Sequence, residues 1–191
     1  MNEIEDTFYK NISVIIPCFR CHDTIERAVS SVVNQSLQVL EIILVEDCSN
    51  DQSKTLNTLK KIKKRYEEKI IIIIIENKLN RGPGFSRNVA WDYSSGNFIA
   101  FLDSDDAWHF RKLEIQIDHL RNNPQVVAVC NFDKYNLDYR CEEYEIEKKA
   151  KILSVDYNHM LFKNYISTRS VLIKQSVESR FNSNLWYSED Y

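Results

Sequence analysis

Gly96-Asn97-Phe98-Ile99-Ala100-Phe101-Leu102-Asp103-Ser104-Asp105-Asp106-Ala107-Trp108 runs a short apolar segment directly into a cluster of aspartates. Phe98 to Leu102 is too short for an ordinary helix and suits a strand buried on both faces. Carboxylates crowded at its end repel one another, so acid at a strand exit is costly unless a cation or a donor-rich ligand fills the gap. The same design recurs upstream. Ile12 to Ile16 leads into Pro17-Cys18-Phe19-Arg20, and Glu41 to Val45 leads into Glu46-Asp47-Cys48-Ser49. Further β-branched runs lie at Ile70 to Ile75 and Val126 to Val129, each separated from the next by a segment long enough for a helix. Near-continuous apolar strands alternating with crossover helices predict an α/β, three-layer, Rossmann-like domain with a mostly parallel central sheet. Ligands of such sheets sit beyond the carboxyl ends of the strands, which is where the polar residues after Ile16, Val45 and Leu102 lie.

The intervening segments carry helical spacing. Ile25, Val29, Val32 and Val33 form one stripe, with Asp23 as expected cap and Glu26 at the capping-box position. Asn50 or Asp51 opens a second segment through Lys69, with Leu56, Leu59 and Ile62 on one side. Lys60, Lys61, Lys63, Lys64 and Arg65 fill its other face, read as a solvated surface in preference to a docking site for an anionic partner. Beyond residue 130 the alternation weakens, Asp133 to Lys151 is charged and irregular, and Ser167 to Lys174 reads as another strand.

Composition removes several function classes. The 191 residues hold 43% apolar and 28% charged side chains, enough to bury a core within one domain. A net charge of −3 provides no field to gather nucleic acid. Ile70 to Ile75 falls far short of the roughly 20 apolar residues of a spanning helix. Five cysteines without a secretory segment predict reduced thiols and a cytoplasmic chain. Cys18-x-x-Cys21 has no second pair at zinc spacing, and His22, His109, His119 and His159 form no spaced ligand set.

Neither Gly-x-Gly-x-x-Gly nor Gly-x-x-x-x-Gly-Lys is present, which argues against a dinucleotide-dependent dehydrogenase and against a P-loop. Two of the three glycines lie in Arg81-Gly82-Pro83-Gly84-Phe85-Ser86-Arg87-Asn88, at the start of an expected helix. Free backbone donors there can face an anion with Arg87 nearby, or the segment can simply be a tight turn with a cap. Asp103 and Asp105 can offer hard oxygens to Mg²⁺ or Mn²⁺, or form a solvated turn capping a helix that begins near His109.

Taken in order, Ile12 to Arg20, Glu41 to Asp51, Asn80 to Asn88, Gly96 to Trp108 and Tyr187-Ser188-Glu189-Asp190-Tyr191 resemble the family 2 glycosyltransferases, inverting enzymes of the A-type nucleotide-diphospho-sugar transferase fold. The resemblance implies a UDP-sugar donor, a glycan or lipid-linked glycan acceptor, a Mn²⁺ or Mg²⁺ cofactor, and work in bacterial surface polysaccharide or lipooligosaccharide synthesis, peripheral to the inner face of the membrane. It implies Pro17, Phe19, Asp47, Arg87, Asp103 and Ser104 as donor-binding residues, with Phe19 beside the base and Asp47 accepting from uracil. Asp105 and Asp103 become metal ligands. Asp190, or Glu189 in its place, becomes the general base, the bland alternative being a helix N-terminus rich in acid.

The same resemblance marks departures. Glu46-Asp47 stands where two aspartates are common, and Cys18 and Arg20 where small polar residues or asparagine are usual. It also organises the chain as one catalytic domain over 1–191, with 1–130 the donor half and 131–191 a partial acceptor half that stops one residue after the Glu-Asp pair, as if truncated. A chain so ended is expected either to transfer sugar or to act as a nucleotide-sugar binding module with little turnover.

Overall fold

A computed structural model describes residues 11–131 and 166–183. Its centre is β1 (Ile12–Cys18), whose Ile12, Val14, Ile15 and Ile16 are fully buried because both faces of the strand are covered. β1 pairs in parallel with β2 (Glu41–Glu46) on one side and with β4 (Phe98–Phe101) on the other, and β2 pairs in parallel with β3 (Ile71–Glu76). β5 (Ala128–Val129) and β6 (Leu172–Lys174) complete a six-stranded sheet of order β3-β2-β1-β4-β6-β5, with β6 antiparallel to both neighbours. The expected strand over Ser167 to Lys174 is shorter than its apolar content implied. A 3₁₀ turn at Thr168–Ser170 takes its first half, and only Leu172–Lys174 pair with the sheet.

Alternation along the strands assigns the layers. Val14, Ile16, Ile42 and Leu44 pack with residues of α1 (Ile25–Val33), α2 (Lys54–Tyr66) and α4 (Lys112–Asn122). Ile15, Ile43, Val45, Ile99 and Phe101 pack with Ala90 and Trp91 of α3 (Gly82–Tyr93). The result is the three-layer α/β arrangement, and the lysine-rich side of α2 is exposed. Among the described residues no helix is long and apolar enough to cross a membrane.

Two local predictions meet different physics. Asp23 does not cap α1; Thr24 is the N-cap residue without a side-chain bond, and Cys21 O accepts from Thr24 N and Ile25 N instead. Asp51 does serve α2, its Oδ2 accepting from Thr55 N at 3.0 Å and Thr55 Oγ1 at 2.6 Å. Gly96 is required where it stands: a Cβ there would lie 2.7 Å from Ser13 N and Ser13 Oγ, while its own N–H donates to Ser13 Oγ at 2.9 Å. That contact draws β1 and β4 together, and with them the two loops that follow.

Candidate active site

The carboxyl ends of β1, β2 and β4 are neighbours in the sheet, so three loops meet at one rim. At the β1 exit, Pro17 pairs with Val45 and remains part of the strand. Phe19 is exposed, and the Arg20 guanidinium stands 5.1 Å from its ring centroid. Arg20 ties this exit to the next one, with its N–H donating to Ser49 Oγ at 3.0 Å and its Nε–H to Ser49 O at 3.1 Å.

The β2 exit is a buried scaffold of acid. Glu46 accepts from Cys48 N at 3.1 Å and Ser49 N at 2.7 Å. Asp47, 3% exposed, accepts from Asn77 Nδ2 at 2.8 Å, from Arg81 N at 3.1 Å and from Gly82 N at 2.8 Å. Its carboxylate therefore serves the first N–H groups of α3, which are the orphan donors of any helix start and favour negative charge. The loop from here to α2 places Cys48, Asn50, Gln52 and Ser53 at positive φ without a single glycine. Such backbone persists only where surrounding bonds over-determine it.

The β4 exit differs. Asp103 is held by Arg87, whose Nη2 donates to its Oδ1 at 2.7 Å from a side chain 5% exposed. Asp106 is paired with Arg169 at 2.9 and 3.1 Å, and burial nonetheless pushes its carboxyl above the ordinary aspartate value. Asp105 is exposed; its backbone carbonyl accepts from Arg27, and its carboxylate has no partner among the described residues. The loop does not cap a helix, since α4 begins at Lys112 with no side-chain cap bond. Of its three carboxylates, those of Asp103 and Asp106 are paired with arginines, and that of Asp105 is left to solvent among the described residues. Ser104 lies against the Cys21 thiol. Hydrogen bonding with Cys18 holds that thiol below its ordinary value, Ser104 adds to this, and burial opposes it. Burial pushes Cys18 up.

Residues 13–179 match the family model for glycosyl transferase family 2. The chain belongs to that family. It is 29% identical over 187 residues to the UDP-Glc:alpha-D-GlcNAc-diphosphoundecaprenol beta-1,3-glucosyltransferase WfgD of Escherichia coli, covering 94% of this chain and 66% of that one. With WfaP of the same organism, a beta-1,3-glucosyltransferase of the same description, identity is 35% over 121 residues, covering 63% of this chain and 45% of the relative. The crystal structure of S. aureus TarS 1-349 shares the fold, with a TM-score of 0.73 at 22% identity over 94% of this chain and 52% of that one. This family 2 chain thus spans about half to two thirds of the length of these proteins.

Of the residues singled out from sequence, the structure brings Pro17, Phe19, Asp47, Arg87, Asp103, Ser104 and Asp105 to the ends of neighbouring strands or against them. Glu189 and Asp190 lie outside the described residues. Arg87 makes its contacts inward, with Asp103 on one side and the Phe181 ring 5.2 Å away on the other. Two participants were not foreseen. Asn77, whose amide holds Asp47, follows β3 and falls under the same strand-exit rule that flagged the others. Arg169 has no motif around it, and only folding brings it to Asp106 while Trp108 Nε1 donates to its carbonyl at 2.8 Å.

Proposed function

We propose that this chain binds a UDP-sugar and transfers the sugar, with inversion at the anomeric carbon, to a hydroxyl of a glycan or lipid-linked glycan acceptor in bacterial surface polysaccharide or lipooligosaccharide synthesis. Residues 1–130 form the donor half and 131–191 belong to the acceptor half, at the cytoplasmic face of the membrane. The observation that carries the reading is the β4 exit, where, among the described residues, Asp105 presents a carboxylate without a partner beside an Asp103 held at one oxygen. Relatives described as using UDP-glucose and a diphosphoundecaprenol-linked acceptor support it.

Hard oxygens from Asp105 and Asp103 fit Mn²⁺ or Mg²⁺, which tolerate solvent and substrate oxygens in their remaining positions. Such an ion supplies Lewis-acid stabilisation of the leaving diphosphate when bound. The rest belongs to the chain. Arg87 fixes the direction of Asp103 and limits its freedom before any ligand arrives. Phe19 offers an exposed ring on which a base stacks. Both oxygens of Asp47 already accept, from Asn77, Gly82 and an Arg81 N–H shared between them, so the N3–H of uracil reaches it by replacing one of the two long Arg81 contacts. Asp190, with Glu189 beside it, takes the proton of the acceptor hydroxyl on the face opposite the diphosphate.

Thermal melting with a panel of nucleotide sugars, with and without Mn²⁺, tests the donor site. A UDP-sugar at about 100 times its Kd stabilises by about 2.7 kcal/mol, or about 5–10 °C for a chain of this size. Stabilisation by UDP-sugars only when Mn²⁺ is present is expected. No stabilisation by any nucleotide sugar overturns the reading, and binding without transfer to any glycan acceptor or to water reduces it to a binding module.

A further inference from the structure

The Arg20 guanidinium is built into the rim but leaves most of its donors unused. Its Nε–H is spent on Ser49 O, its backbone N–H on Ser49 Oγ, and its flat group lies against the exposed Phe19 ring. Among the described residues nothing accepts from Nη1 or Nη2, and the side chain is exposed. Its backbone is held at φ 50, a left-handed conformation that side chains other than asparagine and aspartate rarely occupy, so the Ser49 bonds pin an unfavourable geometry. A long cation fixed this way has already lost much of the rotamer freedom that binding would otherwise take from it.

Position and chemistry together limit what it can meet. In the sheet, β2 and β4 flank β1 on opposite sides, and Arg20 is anchored to the β2 exit. It therefore stands on the side of Phe19 and Asp47, one strand removed from the acidic β4 exit where a diphosphate with its ion belongs. A guanidinium only donates. It pairs with a keto oxygen and is left unpaired, against another donor, by an exocyclic amino group.

We propose that Arg20 is a specificity-determining residue: its Nη N–H groups donate to a keto oxygen of the donor's base, selecting a uracil over a base carrying an amino group at the same position. The inference rests on the nucleotide-donor reading above and assigns its base selectivity to a residue anchored between the β1 and β2 exits.

UDP and CDP form the matched probe, differing at position 4, a keto oxygen against an amino group, and at N3, which carries a hydrogen only in uracil; comparing parent with variants at Arg20 isolates the position-4 contribution. Calorimetry on the full chain in excess Mn²⁺ gives both dissociation constants for the parent, for Arg20→Asn and for Arg20→Gly. Asparagine and glycine both tolerate φ 50, so the backbone survives, and the asparagine amide can donate or accept. The parent is expected to favour UDP over CDP at least about tenfold, the discrimination of one charged hydrogen bond. Either variant should reduce that ratio at least about fivefold, what remains being set at N3, while melting like the parent and keeping its dependence on Mn²⁺. An unchanged ratio in both variants, or equal loss of UDP and CDP affinity, overturns the assignment while leaving the donor site intact. A parent that binds both nucleotides equally also overturns it. A parent that binds neither shows instead that the donor-site reading itself has failed, and the assignment falls with it.

Discussion

The β2 and β4 exits both end in acid, yet their carboxylates have opposite fates. Glu46 and Asp47 are buried and spend themselves on N–H groups of their own loop and of α3. Across β1, among the described residues, Asp103 keeps one oxygen uncommitted and Asp105 keeps both. The difference teaches that strand-end acid is two materials. One is scaffold, satisfied by donors of its own fold, and the other stands at the surface, where water relieves the repulsion of neighbouring charges.

Substitution at the scaffold should act on folding first. Asp47→Ala takes the charged acceptor from Arg81 N and leaves Gly82 N and Asn77 Nδ2 only their longer contacts to Asn80 Oδ1 and Ser86 Oγ, and should cost about 3 kcal/mol, lowering the melting temperature by about 6–12 °C. A shift below about 2 °C in a differential scan would return Asp47 to a purely ligand-directed role. The next largest effect falls on the link between α3 and the acidic loop. Arg87→Met removes a buried cation from Asp103 and should cost about 2 kcal/mol in a urea titration, less than a fully buried pair would because Asp103 is 36% exposed.

This contrast is only half legible in the amino-acid order. Parallel strands covered on both faces read as unbroken apolar runs, so β1 to β4 and the loops after them could be placed from Ile12–Ile16, Glu41–Val45, Ile70–Ile75 and Phe98–Leu102 alone. The antiparallel insertion of β6 between β4 and β5 could not, because it depends on pairing Leu172 with Ala100 across a long stretch of chain. Asp23 illustrates a local limit: a good capping residue is idle when a preceding carbonyl, here that of Cys21, already takes the first helix donors. Within the site, residue types indicated where carboxylates gather and left open which are consumed. Arg20 could be noticed as a departure, while its anchoring on Ser49 is a property of two loops meeting.

A smaller effect separates the loops by pH. Hydrogen bonds from Thr55 hold the Asp51 carboxyl below its ordinary value. A depressed folded value means the charged form is favoured by folding, so this contribution is complete above the usual aspartate range and disappears as pH falls through the lower folded value. Asp51→Asn keeps an acceptor for Thr55 N but removes that titration, and should flatten the acid limb of a plot of melting temperature against pH. An acid limb identical to the parent's would show that Asp51 does not contribute to it.

The smallest effect on folding should come from the residue with the largest consequence for binding. Asp105→Asn alters an exposed side chain whose carboxylate meets no partner among the described residues, so stability should change by no more than about 0.5 kcal/mol. The amide retains one neutral oxygen, a much weaker ligand for a hard divalent ion than the carboxylate. Stabilisation by a UDP-sugar in Mn²⁺ should therefore fall to the level seen without the ion, in a protein that otherwise melts like the parent. Undiminished Mn²⁺-dependent stabilisation would mean that the reserve charge of the β4 exit is not what holds the ion, and the division between scaffold acid and ligand acid would have to be drawn elsewhere along this rim.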